Sequence, residues 1–213
     1  MESSKLASYV ASRICHDIAS PLTSLMQSCE LLFDDSMGPA MKAEGEKSLR
    51  NGIATLEAKL RFMRFAVGSQ ALNDGLANLH DARDLFTKLF AVNSRTELDW
   101  RVEGVTITNR QLRVLMNMTL IMMEPAARGV CRVAAREEGA ELVLDVEAIG
   151  QFSNLKQEVQ DALAGKEPGG GWGGGAIQPY FTRILAEEIG YSLTPRTPQG
   201  AAGLMARGPL ASV

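Results

Sequence analysis

Two long stretches of this chain repeat their apolar residues at helical intervals, and they dictate how its N-terminal third folds. Ile14, Ile18, Leu22, Leu25, Cys29 and Leu32 recur at spacings of three and four, and so do Leu49, Ile53, Leu56, Leu60, Met63 and Val67. Residues three and four apart share a helix face, so each set forms one stripe on an α-helix. The turn-like DDSMGPA between them predicts an antiparallel helical hairpin. A lone hairpin leaves each seam partly covered, and the regular second stripe calls for more than one neighbour, as in a four-helix bundle made by two chains. A homodimer is therefore expected; the alternative is that the rest of the chain covers the seam within a monomer.

The small, glycine-containing AVGSQALNDGLANLH interrupts helical periodicity and reads as a linker. With 213 residues, the chain has room for one large or two small domains, and the division expected is 1–70 and 71–213. In the second part, helices are expected over 81–92 and 109–123, with a strand at 97–102. CRVAAREEGAELVLDVEA alternates about Glu138 and Gly139, a β-hairpin signal. A short helix over 155–163 precedes GKEPGGGWGGGA, and IQPYFTRILAEEIG is a helix stopped by Gly190. Strands over 191–195 and 202–206 complete a mixed or antiparallel sheet. The expected class is α+β: the hairpin followed by a two-layer α/β domain.

Hydrophobic residues make up 46% of the chain and charged ones 22%, as in ordinary folded proteins. The net charge of -3 is spread along the chain, which argues against a nucleic-acid-binding surface. The apolar run VLMNMTLIMM is far shorter than the roughly 18 residues a membrane span needs. Three cysteines, Cys15, Cys29 and Cys131, stand at no metal-ligand spacing, and the first residues lack the apolar core of a signal peptide. Together these features predict a cytoplasmic protein with reduced thiols, no membrane contact and no metal site of its own.

One of the two histidines, His16, stands in SRICHDIASPLTSL. At about 100° per residue it lies nearly opposite Ile14, Ile18 and Leu25, facing water. Ser12 and Ser20, one turn away on either side, are small enough to admit a docking partner. Tyr9 lies roughly 10 Å along the axis, too far to cover the imidazole, and is open to either docking or packing at the helix start. A neutral imidazole is a good nucleophile near pH 7 and can take up a phosphoryl group. Asp17 is placed to bond the other ring nitrogen and select the tautomer. Pro21 removes a backbone hydrogen bond and is expected to bend the helix just past His16, a local cost of roughly 3 kcal/mol that points to function.

CHDIASPLTSL resembles the phosphoacceptor box of sensor histidine kinases, with His16, Asp17 and Pro21 in matching places. The order of hairpin, two-layer domain and late glycine-rich loop also resembles a histidine kinase core. In that pattern an asparagine pair four residues apart marks the Mg²⁺ site, but here Asn117 is followed by Ile121. Where an aspartate should read adenine, Ala148 and Ile149 precede Gly150. Residues 169–175 are accordingly read as an inherited flexible loop without nucleotide.

RICHDIASP, LRFMRFAVGSQ, TELDWRV and the glycine-rich loop together resemble the alphaproteobacterial histidine phosphotransferases of the ChpT type. The resemblance implies a dimer through the hairpin and one phosphorylatable histidine per chain. It further implies no cofactor, with Mg²⁺ carried by the receiver. It implies transfer between the receiver domain of a hybrid kinase (CckA-like) and those of response regulators (CtrA-like, CpdR-like). His16 is then the phosphoacceptor, assisted by Asp17 and supported by Ser20 and Pro21. Tyr9, Ser12, Arg13, Thr23 and Gln27, with Arg61 and Arg64 near the height of His16 on the second helix, form the candidate docking surface. Phe62 and Phe65 are expected in the core. Two rival readings are an ATP-dependent histidine kinase core and a non-enzymatic dimeric interaction module.

Overall fold

In the computed structural model, which describes residues 1–92, 95–150, 153–197 and 201–211 without the Gln70 side chain, the apolar stripes become helices α1 (Ser3–Phe33) and α2 (Pro39–Ala66). Gln151 and Phe152, after the strand read for an adenine contact, lie outside the described residues. Pro39 opens α2, where a missing N–H removes no helical bond. The helices approach closely because α2 carries glycines where α1 presents leucines. A Cβ on Gly52 would stand 2.7 Å from Leu25 Cδ2, and one on Gly45 would stand 3.2 Å from Leu31 Cβ. This antiparallel register puts His16, nine residues before Leu25, level with Arg61, nine residues after Gly52.

The stripe read from α1 is divided between two faces. Ile14, Leu25 and Leu32 are half-buried and Pro21 is buried, but Leu22 remains 47% exposed with Met26 beside it. On α2, Ile53 and Leu60 stay exposed as well. Each helix therefore presents more apolar surface than the other can cover.

The second part contains α3 (Leu79–Val92), β1 (Glu97–Arg101), α4 (Asn109–Met122), β2 (Val130–Glu138), β3 (Glu141–Ile149), α5 (Gln157–Leu163), α6 (Ile177–Glu188), β4 (Ser192–Arg196) and β5 (Ala201–Pro209). The sheet order is β1-β2-β3-β5-β4; β1 runs parallel to β2 and the other pairings are antiparallel. Of the two sheets expected, the structure is thus the mixed one. Helices cover a single face, onto which Val133, Leu142, Leu144, Val146, Leu204 and Ala206 project. Thr108 starts α4 with a capping box: its hydroxyl accepts from the Gln111 N–H, and the Gln111 side chain accepts from the Thr108 N–H.

The uncovered face holds a continuous ion ladder: Arg101–Asp99–Arg132–Glu147–Arg196–Asp145–Arg136–Glu138–Arg207–Glu141. Hydrogen bonds from Arg101 and Arg132 hold the Asp99 carboxyl below its ordinary range. Alternation along the strands thus separates an apolar face from one whose charges neutralise each other.

The core does not stop at the linker. Phe62 of α2 is fully buried and meets Phe86 edge-on at 5.1 Å, and Phe86 in turn lies 4.9 Å from Trp100. Ala66 is buried in the same cluster, and Phe65 packs against it half-buried. The hairpin is consequently bonded to the second part through one shared hydrophobic core.

Candidate functional site

His16 emerges from α1 with its side chain 83% exposed, and its Nδ1 lies 3.3 Å from Asp17 Oδ1. The helix runs unbroken through Pro21, whose ring nitrogen offers no N–H to the Asp17 carbonyl four residues back. Ser12, Ser20, Thr23 and Gln27 are exposed on α1 around His16. The Thr23 hydroxyl is turned back onto its own helix, donating to the Ala19 carbonyl at 3.0 Å. Cys15 is an exposed thiol beside His16, whereas burial pushes the Cys131 thiol up to about 12 and keeps it protonated.

Two residues assigned by sequence to a docking surface are engaged within the chain. Tyr9 is half-buried and packs against a small cluster of Ala162, Trp172 and Ala176, against which Tyr180 also packs, its ring tilted 51° to that of Trp172 at 4.3 Å. Arg13 Nε donates to Asp17 Oδ2 at 2.8 Å, and its Nη1 donates to the Gly174 carbonyl at 3.3 Å. The glycine-rich segment, expected as a flexible loop, therefore meets α1 at Trp172 and at Gly174. Gly174 has φ +60, a conformation L side chains rarely adopt, and it presents the carbonyl that Arg13 meets. A tryptophan within a run of glycines was the signal for this packing, since only Trp172 offers that run a large apolar surface.

Arg61 and Arg64 are exposed on α2, and Arg61 pairs with Glu57 at 2.6 Å. Neither lines the cavity that holds Asp17. That cavity, about 350 Å³, lies between hairpin and second part, with Arg13, Asp17 and Lys59 on its walls and Phe62, Met63, Leu89 and Leu120 beneath. The α2 cation that shares a cavity with Asp17 is Lys59, which sequence reasoning did not single out. Being level with His16 put Arg61 at the right height, but the helix turn gave the inward position to Lys59.

Asn117 has a structural role visible in its bonds. Its amide donates to the carbonyls of Ala66 and Arg113, both at 2.7 Å, and its Oδ1 accepts from Gln178 Nε2 at 2.6 Å. Arg113 donates to the Ala66 and Val67 carbonyls at 3.1 Å. The last carbonyls of a helix lack donors of their own, and a cation near them is favourable. Arg113 and Asn117 thus cap α2 and lock its end to α4. Among the described residues, no group of three or more His, Cys, Asp or Glu is arranged to hold a metal, and no helix is long and apolar enough to cross a membrane.

A helical hairpin bearing an exposed histidine, joined to a two-layer domain with helices on one face of a mixed sheet, defines the class of a histidine-kinase-like core. The fold of the Acinetobacter baumannii histidine kinase AdeS is similar, with a TM-score of 0.53 at 13% identity, covering 92% of this chain and 98% of that one. A solved bacterial phosphotransferase is more similar, with a TM-score of 0.84 at 24% identity and 97% of both chains covered. The profile of the family described as "Histidine phosphotransferase C-terminal domain" matches residues 79–200, so the chain belongs to the histidine phosphotransferase family and is a phosphotransferase. It is also 29% identical over 193 residues to the protein phosphotransferase ChpT of Brucella abortus (strain 2308), covering 89% of this chain and 88% of that protein.

Proposed function

We propose that this chain carries a phosphoryl group on His16 in a multistep phosphorelay, between the receiver aspartate of a hybrid histidine kinase and those of response regulators. The observation that carries the reading is the geometry of His16: an imidazole 83% exposed, with Nδ1 turned to Asp17 and Nε2 left open to a partner. With the Nδ1 proton held by Asp17, the Nε2 lone pair attacks phosphorus of a receiver aspartyl phosphate. The P–O bond to that aspartate breaks, and its electron pair returns to the carboxylate. Passage to a second receiver reverses the step through the same transition state. Mg²⁺ held by the receiver neutralises phosphoryl charge, so this chain needs no metal. The resemblance named above points to CckA-like donors and CtrA-like and CpdR-like acceptors, in the cytoplasm.

The reading includes transfer without ATP. Its support is the state of Asn117, whose side chain is fully buried and bonded to Ala66, Arg113 and Gln178, with Ile121 where a second metal-binding asparagine would stand. These residues do not fit a nucleotide-bound metal. In the test, the purified chain is mixed either with a phosphorylated receiver domain or with labelled ATP and Mg²⁺. The expected outcome is label moving from the receiver to the chain and none arriving from ATP. Self-labelling by ATP would establish the kinase reading, and failure to accept from any receiver would leave the interaction module.

A homodimer through the hairpin belongs to the same proposal. Leu22, Met26, Ile53 and Leu60 form exposed apolar surface on both helices, and Leu25, Ile53, Leu56 and Leu60 line a groove edged by Glu57, Arg61 and Arg64. A second copy covers such surface symmetrically. Sedimentation equilibrium at micromolar concentration is expected to give twice the chain mass of 23.0 kDa, and a monomer mass contradicts the arrangement.

A further inference from the structure

The position of Arg13 assigns it a task other than receiver docking. Asp17 is the only partner of the His16 ring among the described contacts, and the 3.3 Å separation is at the long end for a hydrogen bond. The shorter of the two contacts on the Asp17 carboxylate is made by its other oxygen. There Arg13 Nε donates to Asp17 Oδ2 at 2.8 Å. An arginine preceding its acid by four residues is the weaker order for a helical ion pair, because both charges then oppose the helix dipole. The pair is therefore poorly fixed by α1 alone.

The missing constraint comes from the second part of the chain. Arg13 Nη1 donates to the Gly174 carbonyl, 161 residues away in sequence. That carbonyl is held by a segment whose Trp172 is 6% exposed and packed with Tyr180, Ala162, Ala176 and Tyr9. The planar guanidinium fork suits this double task, since its rigid geometry holds two acceptors in fixed directions at once. Tyr9 lies one turn before Arg13 on the same helix and docks on the same cluster, so the contact has two points on α1.

We propose that Arg13 is a positioning residue: fixed by the Gly174 carbonyl, it orients the Asp17 carboxylate, which holds the proton on His16 Nδ1 and leaves Nε2 as the reacting nitrogen. In this role the glycine-rich segment serves phosphotransfer by holding α1. The inference rests on the phosphorelay reading for its consequence, but its geometric content concerns the imidazole alone.

Two measurements on Arg13→Ala and Arg13→Lys test it. In the first, single-turnover uptake from a phosphorylated receiver is followed over a range of receiver concentrations. Arg13→Ala is expected to lower the saturating rate about tenfold, since modest misplacement of a reacting group is costly. The half-saturating concentration should stay within twofold of the wild-type value, and Arg13→Lys should recover part of the rate. In the second, nitrogen-15 NMR of His16 at alkaline pH is expected to show the Nδ1–H tautomer in the wild-type chain and a mixture in Arg13→Ala. A rise in half-saturating concentration at an unchanged saturating rate would make Arg13 a docking residue and overturn the proposal, as would an unchanged tautomer. If no receiver phosphorylates the wild-type chain, the phosphorelay reading fails, while the tautomer measurement still decides the role of Arg13.

Discussion

A His16→Gln chain is expected to fold as the parent does and to accept no phosphoryl group from any phosphorylated receiver. Glutamine offers a similar length and polarity but an amide nitrogen whose lone pair is delocalised, so no nucleophile remains. Uptake should fall by more than about 10³-fold, to the background of the assay. Stability should move by no more than about 0.5 kcal/mol, because a side chain 83% exposed contributes little packing. The check is label transfer from receiver to chain, run beside a thermal melt of the same preparation. Transfer at the parental rate would mean that another group accepts the phosphoryl, and the candidate site would then be misplaced.

The second large effect is on stability, and it lies where the hairpin enters the core. Phe62→Ala is expected to destabilise the fold by about 3–5 kcal/mol, a large share of the roughly 5–15 kcal/mol that holds a typical domain together. Phe62 is fully buried, edge-on to Phe86, and forms part of the floor of the cavity between hairpin and second part. Truncation enlarges an existing space of about 350 Å³, so neighbours cannot collapse to fill it. Chemical denaturation of both chains measures the difference. A loss below about 1 kcal/mol would show that the hairpin is not anchored through this ring.

These two residues differ in how openly the sequence declared them. His16 stood out because it lies opposite an apolar stripe and precedes a proline within a strongly periodic helix, and both signals span a few residues. The strands and helices of the second part were legible for the same reason: helical spacing, alternation and glycine stops act over a turn or two. Phe62 was expected in the core, but not its contact with Phe86, which fuses the two parts of the chain. Gly45 and Gly52 break the preference of a helix interior, yet their reason appears only when Leu31 and Leu25 are seen against them. Likewise Asn117 was noticed for the pair it lacks, whereas its bonds show it capping α2.

The surroundings of His16 show the same division. Tyr9 and Arg13 share its helix; position on that helix leaves Tyr9 open to docking or packing and assigns Arg13 to docking, and only the contacts with Trp172 and Gly174 decide both. Lys59 was passed over for Arg61 because level along an axis is countable from a turn, while rotation about it depends on how two helices pack. The ion ladder is similar: each charge follows strand alternation, but its pairing crosses five strands whose order the sequence does not state.

By itself the sequence determined the helical hairpin, the α+β class, the outward position of His16 and its acidic neighbour, because periodicity and chain adjacency are properties of nearby residues. Only the tertiary structure decided which apolar faces stay uncovered, that Lys59 rather than Arg61 shares a cavity with Asp17, and that a glycine-rich segment grips α1 one turn before His16. Those outcomes depend on residues up to 161 positions apart coming within hydrogen-bonding distance. Their separation is set by the packing of the whole core, to which no short stretch of sequence has access.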